Sequence, residues 1–406
     1  MRARGRFVEN KGDRVALRTA AGIQEFPVSA PVASAQPGDW VEVTDGRLTV
    51  ATPNRAKGAL SWMERVGDPR RAKGVETRAR VEAGIREFFA ERGFLETRTP
   101  LLVACPGMET DIRPLEVRSW SRETERPLSP EDSGTRFLPT SPEFAMKRLL
   151  AGGLETIFQI CPAFRDEPRS TTHRPEFTML EWYRAWAGYE DIMRDTEELF
   201  EFLARKIHGK SSIPYGGREI SVATPWPRLR VRDLFKEHAG VDLVACASRD
   251  ALAGECERIG QRVSKEDSWN DIYFRIWLNA VEPRLPADRA VFVTRYPASQ
   301  SALAVIESDP DGSKWARRFE LYAGGIELGN AFEELTDPAE QRARFVKDMQ
   351  ARTRAYGPEF PPCPIDEGFL GALAEGIPPS GGIAIGVDRM SMLYADESDI
   401  DYTFWL

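Results

Sequence analysis

The chain has 406 residues, 42% hydrophobic and 29% charged, the balance of a globular protein with one large domain and room for a small one. A net charge of −8 speaks against a face built to grip a long nucleic acid and suits a basic protein partner, though it leaves room for a local basic patch. No apolar run approaches the ~20 residues of a membrane helix, MRARGRFVEN carries no apolar signal segment, and five scattered cysteines with three histidines fit reduced thiols of a cytoplasmic protein rather than disulfides or a zinc site.

Residues 1–56 read as a small β-domain. RFVEN, RVALRT, IQEFPV, WVEVTD and RLTVAT are short, partly alternating runs punctuated by Gly12, Gly22, Gly38 and Gly46. Five such strands predict a barrel-like unit of OB or SH3 type. Residues 57–74, ending in GDPRRAKG, are polar and basic and read as a linker; 75–406 form the main domain. A helix is predicted from Thr77, in TRARVEAGIREFFAERGF, with Val81, Ile85, Phe88 and Phe89 on one face and Gly93 as its stop. LETRTPLLV follows as a strand with Pro100 inside it. SRETERPLSPEDSGTR (121–136) is poor in apolar residues and reads as a surface loop. FQICPAF is a strand, and residues 186–285 are mostly helical in pattern. FVTRYPASQSALAVI and RRFELYAGGIELGNAFEEL read as strands, and GGIAIGVDRMSMLYA as a glycine-led strand entering a helix.

The segment Phe164–Arg184, FRDEPRSTTHRPEFTMLEWYR, is the densest in chemistry. It resembles motif 2 of the class II aminoacyl-tRNA synthetases, in the form used by their lysyl branch. The helix from Thr77 with the Pro100 strand resembles motif 1, a dimer interface, and GIAIGVDR resembles motif 3. Taken singly these residues are unremarkable surface or core groups; their joint occurrence, in order over more than 200 residues, carries the resemblance. It implies an α+β fold: a class II core of antiparallel sheet flanked by helices, with a small N-terminal β-barrel-like domain, acting as a homodimer through residues about 77–105.

Amino-acid activation needs arginines on phosphates and carboxylate, acids that hold Mg2+, and an aromatic face for adenine. The resemblance assigns each. Arg165 bridges the amino-acid carboxylate and the α-phosphate of ATP, Glu167 meets the adenine amino group, His173 approaches the terminal phosphates, and Phe177 stacks on the purine. Arg389 clamps the γ-phosphate, making Arg165 and Arg389 the catalytic pair, and Glu320 and Glu327 carry Mg2+. A buried substrate amine needs carboxylates. In TSPEFAMKRLL, Ser141 and Glu143 lie at the amine nearest the carboxyl group. Glu181, Tyr183 and Glu334 meet the distal amine, and Asn330 and Phe332 shape the wall. Asp166 and Arg174 stand where the family often has Asn.

TSPEFAMKRLL, HRPEFTMLEWYR, YPASQSALAVI, GIELGNAFEEL and GIAIGVDR together resemble the elongation factor P–lysine ligases, truncated paralogues of lysyl-tRNA synthetase, over residues 75–395. That family implies activation of (R)-β-lysine, or lysine less well, and transfer to the ε-amine of a lysine on elongation factor P. Ala384, where the synthetases usually have Gly, points the same way. So does the short stretch before motif 1, which leaves no room for a usual anticodon domain and sets tRNA aside as acceptor. The alternatives are a lysyl-tRNA synthetase with a minimal N-terminal domain and a catalytically silent paralogue; the complete set Arg165, Glu167, Glu320, Glu327 and Arg389 argues against the last.

Overall fold

Alternating burial along five short strands builds the first sheet. The computed structural model describes residues 2–19, 21–29, 35–55, 62–110, 112–117, 136–357 and 364–405. Strands β1 (Arg2–Asn10), β2 (Arg14–Thr19), β3 (Gly22–Pro27), β4 (Trp40–Thr44) and β5 (Arg47–Thr52) pair antiparallel in the order β3-β2-β1-β4-β5. All five expected strands are present. Phe7, Val15, Leu17, Val41 and Val43 form their small core. The four punctuating glycines all take positive φ, which is why the turns fall where they do.

The chain divides into two compact units, residues 1–76 with 401–406, and residues 77–400. The described part of the expected linker, from residue 62, is largely helical. Helix α1 (Trp62–Gly67) is followed at once by α2 (Pro69–Glu91), which starts at Pro69 rather than Thr77. Asp68 accepts a hydrogen bond from the Arg70 amide at 2.9 Å, and Pro69 follows it, so Asp-Pro supplies a helix start. Val81, Ile85, Phe88 and Phe89 are fully buried as predicted. Phe89 stacks on Phe158 at 4.7 Å and lies 5.1 Å from Trp182. The strand expected after Gly93 shrinks to β6 (Leu95–Glu96), with one more amide, Thr97, bonding the Phe158 carbonyl before the chain leaves the sheet ahead of Pro100.

The loop expected at 121–136 lies, except for Arg136, outside the described residues. Flanking it, β7 (Glu116–Val117) pairs with β8 (Arg136–Phe137). The rest of the main unit runs α3 (Glu143–Ala151), β9 (Thr156–Phe164), β10 (Glu176–Ala185), α4 (Tyr189–His208), β11 (Ser212–Tyr215), β12 (Arg218–Ser221), β13 (Arg228–Arg230) and α5 (Val231–Ala239). Then come α6 (Arg249–Arg258), α7 (Trp269–Ile276), β14 (Val291–Pro297), β15 (Ile306–Ser308), β16 (Lys314–Ala323) and β17 (Ile326–Glu333). Helices α8 (Pro338–Tyr356) and α9 (Glu367–Glu375), strand β18 (Ser380–Gly386) and helix α10 (Val387–Ala395) complete it.

Among the described residues the main sheet is nine-stranded, and the unit is α+β in character. Its path is β13-β14-β16-β17-β18-β10-β9-β6, with β15 paired to β16. Among the described strands only the edge pairings of this sheet, β13 with β14 and β6 with β9, are parallel. One face packs Leu180, Trp182, Leu321, Ala331 and Ile385 against α2, α4 and α10. The other carries Tyr183, Tyr322 and Phe332 toward α3, α5, α7 and α9. No disulfide joins the described cysteines, and no described helix is long and apolar enough to cross a membrane.

Candidate functional site

Strand register decides which residues meet. Across the second face, Gln159, Glu181, Ala384, Asn330 and Glu320 stand side by side on β9, β10, β18, β17 and β16. The next row is Ile157, Tyr183, Gly382, Phe332 and Arg318. Glu181 and Glu320 are three strand spacings apart, roughly 14 Å. The expected amine-binding acids therefore lie at one end of the row and the expected metal-binding acids at the other.

At the first end, Glu143 opens α3 and Lys147 follows one turn later. The Lys147 ammonium lies 2.5 Å from Glu143 and 2.5 Å from Glu334. Glu181 accepts from the Ser141 hydroxyl at 2.5 Å and from the Tyr183 hydroxyl at 2.9 Å. Glu181 and Glu334 are 1% and 3% exposed, and Glu334 Oε1 has no hydrogen-bond partner. Burial, then Glu143, pushes the Glu181 carboxyl up to about 8 against its hydrogen bonds. Burial pushes Glu334 up to about 8 as well, with Lys147 opposing. Burial also raises Glu143, whose neighbour Lys147 pulls it back.

Two glycines make this end possible. A Cβ on Gly382 would come within 2.3 Å of the Tyr183 ring and 2.5 Å of Glu334 Oε1. On the opposite face, a Cβ on Gly381 would meet the Gly188 carbonyl at the start of α4 at 2.8 Å. The pair thus lets the pocket and the helix approach one strand from its two sides.

At the far end, a β-bulge recruits Glu327. The register passes from Leu321↔Gly329 to Tyr322↔Glu327, leaving Leu328 unpaired. Strict alternation would turn Glu327 away from Asn330; the extra residue brings it onto the face of Glu320 and Tyr322. Glu320 accepts from Arg318 at 2.6 Å and from the Tyr322 hydroxyl at 2.9 Å. Desolvation, then the Glu320 charge, raises the Glu327 carboxyl to about 7, opposed by Arg389, Arg318 and Arg165. Among the described residues no group of three or more His, Cys, Asp or Glu is placed to hold a metal alone. Two carboxylates fit Mg2+, which habitually takes one or two and completes its shell with water and phosphate.

Arg389 donates to the Glu327 carbonyl at 2.9 Å and to the Thr172 carbonyl at 3.2 Å, and contacts His173 Nε2 at 2.6 Å. His173 Nδ1 is held by Ser170 at 2.9 Å and Thr172 at 3.1 Å. Burial, then Arg389, lowers its pKa, consistent with a neutral ring that accepts from the guanidinium. Arg165 lies 5.1 Å from the Phe177 ring centre, and its buried Nε has no hydrogen-bond partner, an orphan donor beside an aromatic face. Glu167 folds back through its amide onto the Arg165 carbonyl at 2.8 Å.

The sequence pattern of the tRNA synthetases class II (D, K and N) matches residues 61–405. The chain belongs to that family. It is 37% identical over 342 residues to the lysine–tRNA ligase of Pelotomaculum thermopropionicum, covering 84% of this chain and 64% of that protein. Against the lysine–tRNA ligase of Dehalococcoides mccartyi it is 36% identical over 324 residues, 80% of this chain and 62% of that one. Against that of Carboxydothermus hydrogenoformans it is 33% identical over 379 residues, 93% and 72%. The chain thus spans a little under two thirds of the length of the first two.

In this class II chain several supporting residues escape sequence reading. Lys147 looks like an ordinary helical partner of Glu143. Asp388 is buried, accepts from the Thr178 amide at 2.7 Å and pairs with Arg78 at 3.1 Å, anchoring the start of α10 and so Arg389. Burial raises its carboxyl to about 6, with Arg78 opposing. The hairpin β11–β12 went unpredicted within the helical region, although Gly216–Gly217, both with positive φ, between two short runs is its signal.

Proposed function

We propose that the chain activates lysine, or a closely related diamino acid, with ATP to form an aminoacyl-adenylate. The observation that carries this is the pocket of Glu143, Glu181 and Glu334, whose Glu334 Oε1 is buried without a partner. An acidic, dry pocket selects a ligand that brings its own cations. Arg165, with its orphan Nε, pairs with the amino-acid carboxylate and the α-phosphate. A carboxylate oxygen then bonds to the α-phosphorus as the bond to pyrophosphate breaks. Phe177 and Glu167 receive the adenine, His173 and Arg389 the terminal phosphates. Glu320 and Glu327 would hold Mg2+, which neutralises phosphate charge when bound.

For the acceptor, tRNA is the reading that the names of the relatives favour, and it reverses the expectation drawn from chain length. A second reading, (R)-β-lysine transferred to a lysine of elongation factor P, is favoured by Ala384. That methyl-bearing residue stands between Glu181 and Asn330 in the row of the pocket, and one methyl group shifts a tight pocket by ~1–3 kcal/mol. Exposed Leu95, Leu101 and Leu102 near the motif 1 segment support a homodimer through residues about 77–105, and the use of ATP and an amino acid suits the cytoplasm.

Mass spectrometry of bulk tRNA and purified elongation factor P, each incubated with enzyme, ATP and either amino acid, separates the acceptors. Lysylated tRNA with unmodified factor supports the first reading; a mass addition on the factor alone supports the second. Neither product, with no adenylate detected, sinks both.

A further inference from the structure

We propose that Lys147 is a positioning residue that sets the charge of the amino-acid pocket, its ammonium bridging Glu143 and Glu334 so that their ionised forms are favoured and held apart for the two amines of the substrate. The inference rests on the reading that the chain activates a diamino acid.

The geometry is specific. Lys147 is 1% exposed, and its ammonium touches one oxygen of each carboxylate at 2.5 Å. Glu143 belongs to α3 itself, while Glu334 directly follows β17. The groups acting on this ammonium are Glu143 on its own helix, Glu334 after β17, Glu181 on β10, to which the Tyr183 hydroxyl donates, and the Phe369 ring of α9 at 5.8 Å. Glu109, whose Oε2 is buried without a partner, acts on Glu143 from the loop before the 111 position. A lysine used only to tie α3 to β17 would need one acid; this one spans two, both expected to receive substrate.

Charge counting gives the consequence. Glu143, Glu181 and Glu334 carry three negative charges when ionised, and Lys147 offsets one. Two remain to meet two ammonium groups, with Glu109 adding its field at the Glu143 end. Burial alone would depress the Lys147 ammonium, but Glu143 and then Glu334 outweigh it and raise its pKa, so it stays charged throughout the neutral range. Without it, the crowded acids hold to a higher pH the proton that an incoming amine must displace. Each such displacement makes KM depend on pH, tenfold per unit below the pKa of the group concerned.

The test is the lysine KM in ATP–pyrophosphate exchange for wild type, Lys147→Met and Lys147→Arg from pH 6.5 to 9. Taking the ratio of variant to wild type cancels the ionisation of free lysine. For Lys147→Met the ratio is expected to be about tenfold near pH 7 and to shrink to about twofold by pH 9, for a one-unit rise in the acid pKa. For Lys147→Arg it should stay within about threefold with no pH trend, since the charge remains. The KM for ATP should be unchanged in both. A Lys147→Met ratio that is flat with pH overturns the proposal, whether near one or large, because a purely structural role affects all pH values alike. If Lys147→Met does not fold, Lys147→Gln takes its place with the same two outcomes: a ratio that shrinks as pH rises supports the proposal, and a flat one overturns it. Absence of exchange by the wild type with any diamino acid would instead remove the underlying reading.

Discussion

Glu334 and Glu181 show how a single carboxylate becomes selective. Both are held near a pKa of 8, first by burial, so in the empty pocket each is largely protonated at pH 7. Binding an ammonium requires the ionised form. The lysine KM should therefore fall as pH rises from 6 to 8 and level off above it, with free lysine corrected for its own ionisation; a KM independent of pH would contradict the assignment. Glu334→Gln should raise the KM for lysine and β-lysine alike, by tenfold or more, since the distal amine is common to both. At the other end, Glu327→Gln should raise the Mg2+ concentration needed for half-maximal exchange, a loss that titrating the metal would reveal. Much at this scale is legible in sequence, because PEFTMLEWY sets Glu181 and Tyr183 two residues apart on one strand and GIELGNAFEEL does the same for Asn330 and Phe332. Lys147 is not, because a Glu–Lys pair four residues apart on a helix reads as a solvated surface pair until the packing of Glu334 over it is known.

Strand β18 and the β16–β17 hairpin act as elements rather than as carriers of functional groups. Gly382 leaves room for the Tyr183 ring and Glu334, and its φ is not in the left-handed region, so alanine there is a steric change only. Gly382→Ala should raise the lysine KM more than tenfold and lower the melting temperature, because the buried Tyr183 ring must shift, while the ATP KM changes little. A variant that instead loses ATP binding equally would mean that the strand, not the pocket, is disturbed. On the reverse face, Phe89 packs between Phe158 and Trp182, and Phe89→Ala should destabilise the main unit by about 3–5 kcal/mol in denaturant unfolding. The helices and strands are legible from periodicity, as the α2 face and the five N-terminal strands attest. The Leu328 bulge is not, since an extra residue in a strand leaves the hydrophobic pattern almost intact while reversing which side Glu327 faces. The early start of α2 was missed because a basic, polar run conceals the Asp68–Pro69 helix signal.

For the whole molecule, the acidic pocket has a stability consequence. Glu181, Glu334, Glu327 and Asp388 all have folded-state pKa values above those of an unfolded chain, about 8, 8, 7 and 6. A carboxyl raised on folding binds more protons when folded, so its contribution is present at low pH and is lost as pH rises through the folded value. The melting temperature of the empty protein should therefore decline as pH rises from about 5 to about 8 and level off above that, and saturating lysine should reduce that decline by pairing Glu181 and Glu334. A decline unaffected by lysine would separate the pocket from the effect. The central claim is that this sheet face activates a diamino acid. Its most direct measurement is Mg2+-dependent ATP–pyrophosphate exchange without tRNA, across a panel of amino acids, for wild type and Arg165→Ala. Exchange confined to lysine and its β-isomer, and abolished by Arg165→Ala, is the predicted result; exchange with an unrelated amino acid, or exchange indifferent to Arg165, would contradict it.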